Sequence, residues 1–151
     1  MTNWIPALLF AGTLLAVIFW ILSTYPSQSE KRENQLRDSF EKCESPIEKK
    51  LFLAFTLLGV HPRGQIPAGR YRIDITFLRN GRKVAIECDG KDSHSSPDQK
   101  LHDKKKDEFL SQQGWIVIRV KGSEINKNAM LCAQRVLKQI DALPSELNQS
   151  V

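Results

Sequence analysis

Residues 69–90 read GRYRIDITFLRNGRKVAIECDG, and the hairpin they spell decides the fold. Asn80-Gly81 is the strongest short hairpin signal in the chain, because a type I′ turn needs positive φ at both central residues. With those two as the loop, Arg79 pairs with Arg82, Phe77 with Val84, Ile75 with Ile86 and Ile73 with Cys88. Strand side chains alternate, so these residues define an apolar face that packs on a core. The other face sets Arg72, Asp74, Thr76 and Leu78 against Asp89, Glu87, Ala85 and Lys83. In this register Asp74 lies directly opposite Glu87. Like charges so placed destabilise a sheet. At about 5 Å and an effective dielectric of about 20, their repulsion is roughly 3 kcal/mol. A proton or a bound cation must offset it. Two carboxylates converging on a rigid hairpin suit a hard divalent cation such as Mg²⁺, which takes oxygen ligands.

Upstream, Ser45-Pro46-Ile47-Glu48 marks a helix start, with Ser at the N-cap, Pro at N1 and Glu at N3. Ile47, Leu51, Ala54, Phe55 and Leu58 recur at helical spacing, and Gly59 closes the helix. A short strand is expected near Arg63 to Ile66. Downstream, 89–97 reads as a polar loop, 98–113 as a charged helix ended by Gly114, and 115–120 as a β-branched strand. A final helix runs from about 126 to 143 and is closed by Pro144. The order α-β-β-β-α-β-α predicts an α/β domain with a mixed sheet. Its expected bounds are 45–143, with a polar linker or stalk over 24–44 and a short tail over 144–151.

Residues 4–22 are an almost wholly apolar run, and no charged side chain precedes Glu30. In helical form such a run spans about 28 Å, close to the roughly 30 Å of a bilayer's hydrocarbon core. Trp4, Trp20 and Tyr25 stand near its ends, where interfacial aromatics belong. Pro6 falls in the first turn, which a helix tolerates. A cleaved signal peptide is the weaker alternative: no Lys or Arg precedes the run, and Leu22-Ser23-Thr24-Tyr25 makes a poor cleavage site. The expectation is therefore a transmembrane anchor over 1–23. Lys31, Arg32 and Arg37 follow the run, so the positive-inside rule puts the body in the cytoplasm, as a single-pass protein of the cell membrane.

The net charge of +5 lies wholly after that run and is compatible with a polyanionic partner. Cys43, Cys88 and Cys132 form no Cys-x-x-Cys pair, which favours a reduced compartment and no zinc cluster.

A carboxylate on one hairpin strand and Glu-x-Asp on the next, in this element order, resembles the PD-(D/E)XK nuclease superfamily. Within it the chain is most similar to the very-short-patch-repair-endonuclease-like branch. The resemblance covers about Ser45 to Leu137. It rests on SPIEKKLF (45–52), Gln65 ahead of YRIDITF (71–77), and VAIECDG (84–90) followed by His94. HDKKKDEFL (102–110), GWIVIRV (114–120) and Glu124-Ile125-Asn126 continue it. It implies a restriction-endonuclease-like αβββαβα core and metal-dependent hydrolysis of phosphodiester bonds, with nucleic acid, DNA foremost, as partner. It also implies Mg²⁺, replaceable by Mn²⁺, held by Asp74 and Glu87 with the Cys88 backbone carbonyl as a further ligand. A first-helix glutamate, here Glu48, joins that site directly or through water.

The sequence departs from the superfamily at Asp89, which stands where Glu-x-Lys has its lysine. That lysine orients the attacking water and offsets charge on the phosphate. In the family a basic residue follows an Asp by three in the next helix, and Asp103 with Lys106 matches that pair. Lys106 is thus the candidate for a migrated lysine, on one helix face with Asp103, Asp107 and Leu110; the alternative is a solvated basic face. Glu48 has two open roles, as N3 of a capping box or at the metal. Asp89 likewise has two, a cross-strand salt bridge to Arg72 or a part at the metal. His94 is a phosphate-contacting or a merely solvated loop residue, and Gln65 a strand-end amide or a site residue. Trp115 reads as core rather than as a base-stacking platform.

The expected function is a membrane-anchored, Mg²⁺-dependent endonuclease acting on DNA. Its rival is a catalytically degenerate nuclease-fold module that binds nucleic acid or a protein at the membrane. Intact Glu48, Asp74 and Glu87 favour the first, and the missing Glu-x-Lys lysine favours the second.

Overall fold

The computed structural model describes residues 13–20, 27–90 and 97–144. The chain divides into two compact units, Met1–Gln35 and Leu36–Val151. The described elements from residue 28 onward are α1 (Gln28–Glu41), α2 (Pro46–Leu57), β1 (Arg63–Ala68), β2 (Tyr71–Arg79), β3 (Arg82–Asp89), α3 (Pro97–Gln112), β4 (Trp115–Lys121) and α4 (Gly122–Asp141).

The hairpin forms as its turn residues dictate. Asn80 and Gly81 take φ of 52° and 78°, and the ladder pairs Arg79 with Arg82, Phe77 with Val84 and Ile75 with Ile86. The sheet is mixed, in the order β1-β2-β3-β4, antiparallel except for the parallel β3–β4 pair. A parallel pair needs a crossover, and α3 provides it. Leu51, Phe52 and Phe55 of α2 and Ala133, Val136 and Ile140 of α4 pack with Ile75, Phe77, Val84 and Ile86 of the hairpin in one core cluster. Phe55 meets Phe77 with ring centroids 4.9 Å apart. Leu110 of α3 packs on Ile73 and Ala85 in a second, smaller cluster. Helices therefore cover both faces of the sheet.

Three expectations are corrected. Simple alternation puts Ile73 beside Ile75, but Ile73 belongs to the α3 cluster with Ala85. The described β2–β3 ladder runs no further than Ile75–Ile86, and past it the Asp74 side chain, not a main-chain carbonyl, accepts the Cys88 N–H at 2.8 Å. The strands lose regular pairing there, and the alternation is lost with it. The final helix begins at Gly122 rather than near Asn126 and kinks at Asn128 (φ −163°, ψ 92°), whose Oδ1 accepts the Leu131 N–H at 2.9 Å and caps the second segment.

The third correction concerns the membrane. Among the described residues no helix is long and apolar enough to cross one, which overturns the transmembrane anchor and, with it, the single-pass cell-membrane placement. The described part of the apolar run is helical over 13–20. Residues 1–12 and 21–26, on which the rest of that expectation falls, lie outside the described residues.

Part of the segment expected as a linker or stalk is α1, whose Ser39 is buried and whose Leu36 and Phe40 pack against the core. The compact unit therefore reaches back to Leu36.

Candidate active site

Asp74 sits where β2 and β3 lose their pairing, its Oδ2 held by the Cys88 N–H. Glu87 follows on β3 and is 5 % exposed. On the next face up, Lys106 of α3 donates from Nζ to Glu87 Oε2. The helix thus brings to this carboxylate the cation that the strand lacks at Asp89. Glu87 Oε1 is buried with no partner among the described residues.

The electrostatics follow from this packing. Burial pushes Glu87 up to about 7; the Lys106 hydrogen bond pulls it down, and the Asp74 charge pushes it further up. Burial raises Asp74 too, opposed by the Cys88 N–H and reinforced by the Glu48 charge. Asp74 on β2 therefore feels Glu48 on α2, and Glu87 on β3 feels Asp74.

Glu48 makes the capping interactions and one more. Its N–H donates to Ser45 Oγ at 3.3 Å, and Ser45 Oγ donates to its Oε1 at 2.6 Å. Its Oε2 accepts from Glu44 N–H at 3.0 Å and from Gln65 Nε2 at 2.6 Å. These bonds occupy most of the lone-pair sites a carboxylate offers. Glu48 thus sits in the cap, tied to β1 and within electrostatic range of Asp74.

Gln65 adopts φ of 55°, a left-handed conformation uncommon for a residue other than glycine. Such strain costs on the order of 1–3 kcal/mol and clusters at functional sites. It turns the amide toward Glu48 and leaves Gln65 Oε1 buried and unpartnered.

Asp89 does not pair with Arg72, as the hairpin register suggests. Arg72 reaches Glu44 at 2.7 Å, while Asp89 accepts from Arg119 Nη1 at 2.8 Å. The ladder has already ended at this point, so the cross-strand pair never forms. Arg119 is the residue that sequence reasoning missed. It is the register partner of Glu87 in the parallel β3–β4 pair, and its guanidinium forks onto Asp107 at 3.1 and 3.0 Å with Asp103 at 3.6 Å. Burial works against the Arg119 charge, but Asp107, Asp89 and Asp103 outweigh it and hold its pKa above the ordinary value. Asp103 and Asp107 flank Lys106 on one helix face, so Arg119 fastens to the sheet the turn of α3 that carries the lysine. The signal available was a lone Arg in the apolar strand WIVIRV.

Burial raises the Cys88 thiol strongly, with Asp74, Glu48 and Glu87 adding to it, so it stays protonated and is neither nucleophile nor soft ligand. His94 lies outside the described residues.

Among the described residues no group of three or more His, Cys, Asp and Glu stands placed to hold a metal ion. The donor set is narrower: two carboxylates, Asp74 and Glu87, with two buried unpaired oxygens, Glu87 Oε1 and Gln65 Oε1. Leaving a buried acceptor unpaired costs about 1–3 kcal/mol. Mg²⁺ is commonly held by one or two carboxylates together with substrate phosphates, so hard oxygens in this number fit it.

Residues 47–140 match the family described as REase_MTES_1575, which is restriction-endonuclease-like. The match does not single out the very-short-patch-repair branch. No curated protein matches the chain.

Proposed function

The chain belongs to the REase_MTES_1575 family of restriction-endonuclease-like domains, and from that premise we propose that it is a Mg²⁺-dependent nuclease that hydrolyses phosphodiester bonds in DNA. The observation that carries this reading is the Lys106 ammonium on the Glu87 carboxylate. It supplies from α3 the lysine missing from the strand.

Asp74 and Glu87 would hold Mg²⁺ or Mn²⁺. When bound, such an ion polarises a phosphate and lowers the pKa of an attacking water. Lys106 favours the charged, ligating form of Glu87 against the burial that raises its pKa, and offsets negative charge that builds on the phosphate. Glu48 fixes the Gln65 amide, and Arg119 holds the turn bearing Lys106 in place.

The purified full chain should nick or degrade plasmid DNA with Mg²⁺ or Mn²⁺ and stop with EDTA. Asp74→Ala and Glu87→Ala should each abolish cleavage. Lys106→Ala should slow it by about 10²-fold or more, the usual worth of one preorganised charge-stabilising donor. Folded protein that binds DNA but never cuts it, with any divalent ion, would contradict the proposal.

A second reading is a degenerate nuclease-fold module that binds nucleic acid or a protein without cleavage. One observation favours it: no cluster of three ligating side chains forms among the described residues. The same cleavage assay separates the two.

A further inference from the structure

The sheet face that bears Glu87 is open beyond the end of α3. Along β3, Lys83, Ala85 and Glu87 project to one side. That is the side where Leu110 packs on Ala85 and Lys106 meets Glu87. At Lys83 the helix has ended, and Lys83 Nζ donates to the Gln113 carbonyl at 2.6 Å. The uncovered surface forms a cleft of about 520 Å³ lined by His61, Arg63, Thr76, Leu78, Lys83 and Trp115, among others. Lys83 lies about 13 Å along the strand from Glu87, at roughly 3.3 Å per residue.

Two properties of this cleft call for an explanation. Leu78 is 73 % exposed near the hairpin end of the sheet, and its register partner Lys83 lies between it and the half-buried Trp115, whose ring centroid is 5.3 Å from Lys83 Nζ. Among the described residues no acidic side chain lines the cleft, while Arg63 and Lys83 add positive charge and His61 a further donor. Arg79 also lines it, but Asp141 neutralises that residue at 2.7 Å. An apolar floor under a cationic rim is the surface that an unstacked nucleotide covers, base on the floor and phosphate at the rim. A duplex does not fit as well. Its base faces are stacked on one another, so it would offer phosphates to the rim and leave the floor wet. The volume lies within the range of small-ligand pockets, roughly 300–1,000 Å³.

We propose that this cleft binds a single-stranded stretch of the substrate flanking the cleaved bond, with one base against Trp115 and Leu78 and its phosphate at Arg63. The proposal rests on the nuclease reading and adds to it a preference for single-stranded or frayed DNA. The test is fluorescence anisotropy of the full chain in EDTA, with a short labelled oligonucleotide as single strand and as duplex. The single strand should bind more tightly. Leu78→Asp removes an apolar contact with the base and sets a negative charge on the floor, so it should weaken single-strand binding about tenfold or more, with less effect on the duplex. Arg63→Ala should flatten the dependence of log K on log salt by about 0.7, the value for one phosphate on a single strand. Leu131→Asp, at an exposed position on α4 outside the cleft lining, should change neither.

Wild-type preference for the duplex, or unaltered single-strand binding by both Leu78→Asp and Arg63→Ala, would overturn the inference. If the wild type still cleaves with Mg²⁺ in that case, the nuclease reading stands without it. A wild type that neither binds nor cleaves any nucleic acid removes both.

Discussion

Replacing Lys106 by methionine isolates what the helix contributes to the buried carboxylate. Burial moves Glu87 from 4.5 to about 7 even with Lys106 bonded to it. A carboxyl raised in this way stabilises the fold fully below pH 4.5 and loses that contribution as pH rises through about 7. At 1.36 kcal/mol per unit the loss amounts to about 3 kcal/mol in the wild type, after which its curve is flat. Methionine keeps the apolar stem and removes the charge, so the folded pKa of Glu87 climbs and the loss continues above pH 7. A proton can always neutralise the buried carboxyl, and this caps the extra cost at about 1.4 kcal/mol at pH 8 and about 2.7 kcal/mol at pH 9. Asp74, also raised by burial, titrates in both proteins. Urea unfolding in EDTA at unit intervals from pH 5 to pH 9 reads the difference. The two stability curves should run parallel up to about pH 7 and then diverge. Parallel curves through pH 9 would refute the claim that Lys106 holds the charge of Glu87.

Arg119→Ala leaves Asp89, Asp103 and Asp107 facing one another. Breaking a buried pair costs about 3–5 kcal/mol; with these groups 27–44 % exposed, about 2 kcal/mol is expected, seen as a lower urea midpoint together with slower cleavage. Arg119→Lys should recover only part of both, since an ammonium cannot make the fork. Gly64→Ala drives a Cβ into the Ser39 carbonyl oxygen and to 3.1 Å from Cys43 Sγ; it should cost about 1–3 kcal/mol by forcing α1 off β1, again read in urea. Mg²⁺ at about 100 times its Kd should stabilise the wild type by about 2.7 kcal/mol and Glu87→Ala not at all, as calorimetry would show.

The features most legible in the sequence were those fixed by local chemistry. Asn80-Gly81 set the hairpin register as far as Ile75–Ile86, and Ser45-Pro46 with Glu48 set the start of α2. The placement of Lys106 was also within reach, because helical spacing puts it on the face of Leu110. What local pattern could not show was where pairing stops. Asp74 takes the Cys88 N–H with its side chain, and from that point Ile73 changes face and Asp89 looks for a partner other than Arg72. Arg119 finds its acidic partners on β3 and α3, and no spacing rule links a strand to a helix that precedes it across a turn. The apolar run at the start has the composition of a membrane span, yet among the described residues no helix is long and apolar enough to cross a membrane.

The central claim is that Asp74 and Glu87 share one divalent cation beside Lys106. Anomalous diffraction from crystals soaked in Mn²⁺ addresses it most directly. A single strong peak is expected at coordination distance, about 2.0–2.3 Å, from an oxygen of Asp74 and from Glu87 Oε1, with Lys106 still in contact with the Glu87 carboxylate. A fully soaked crystal with no peak between these two residues, or with its peak elsewhere in the chain, would contradict it.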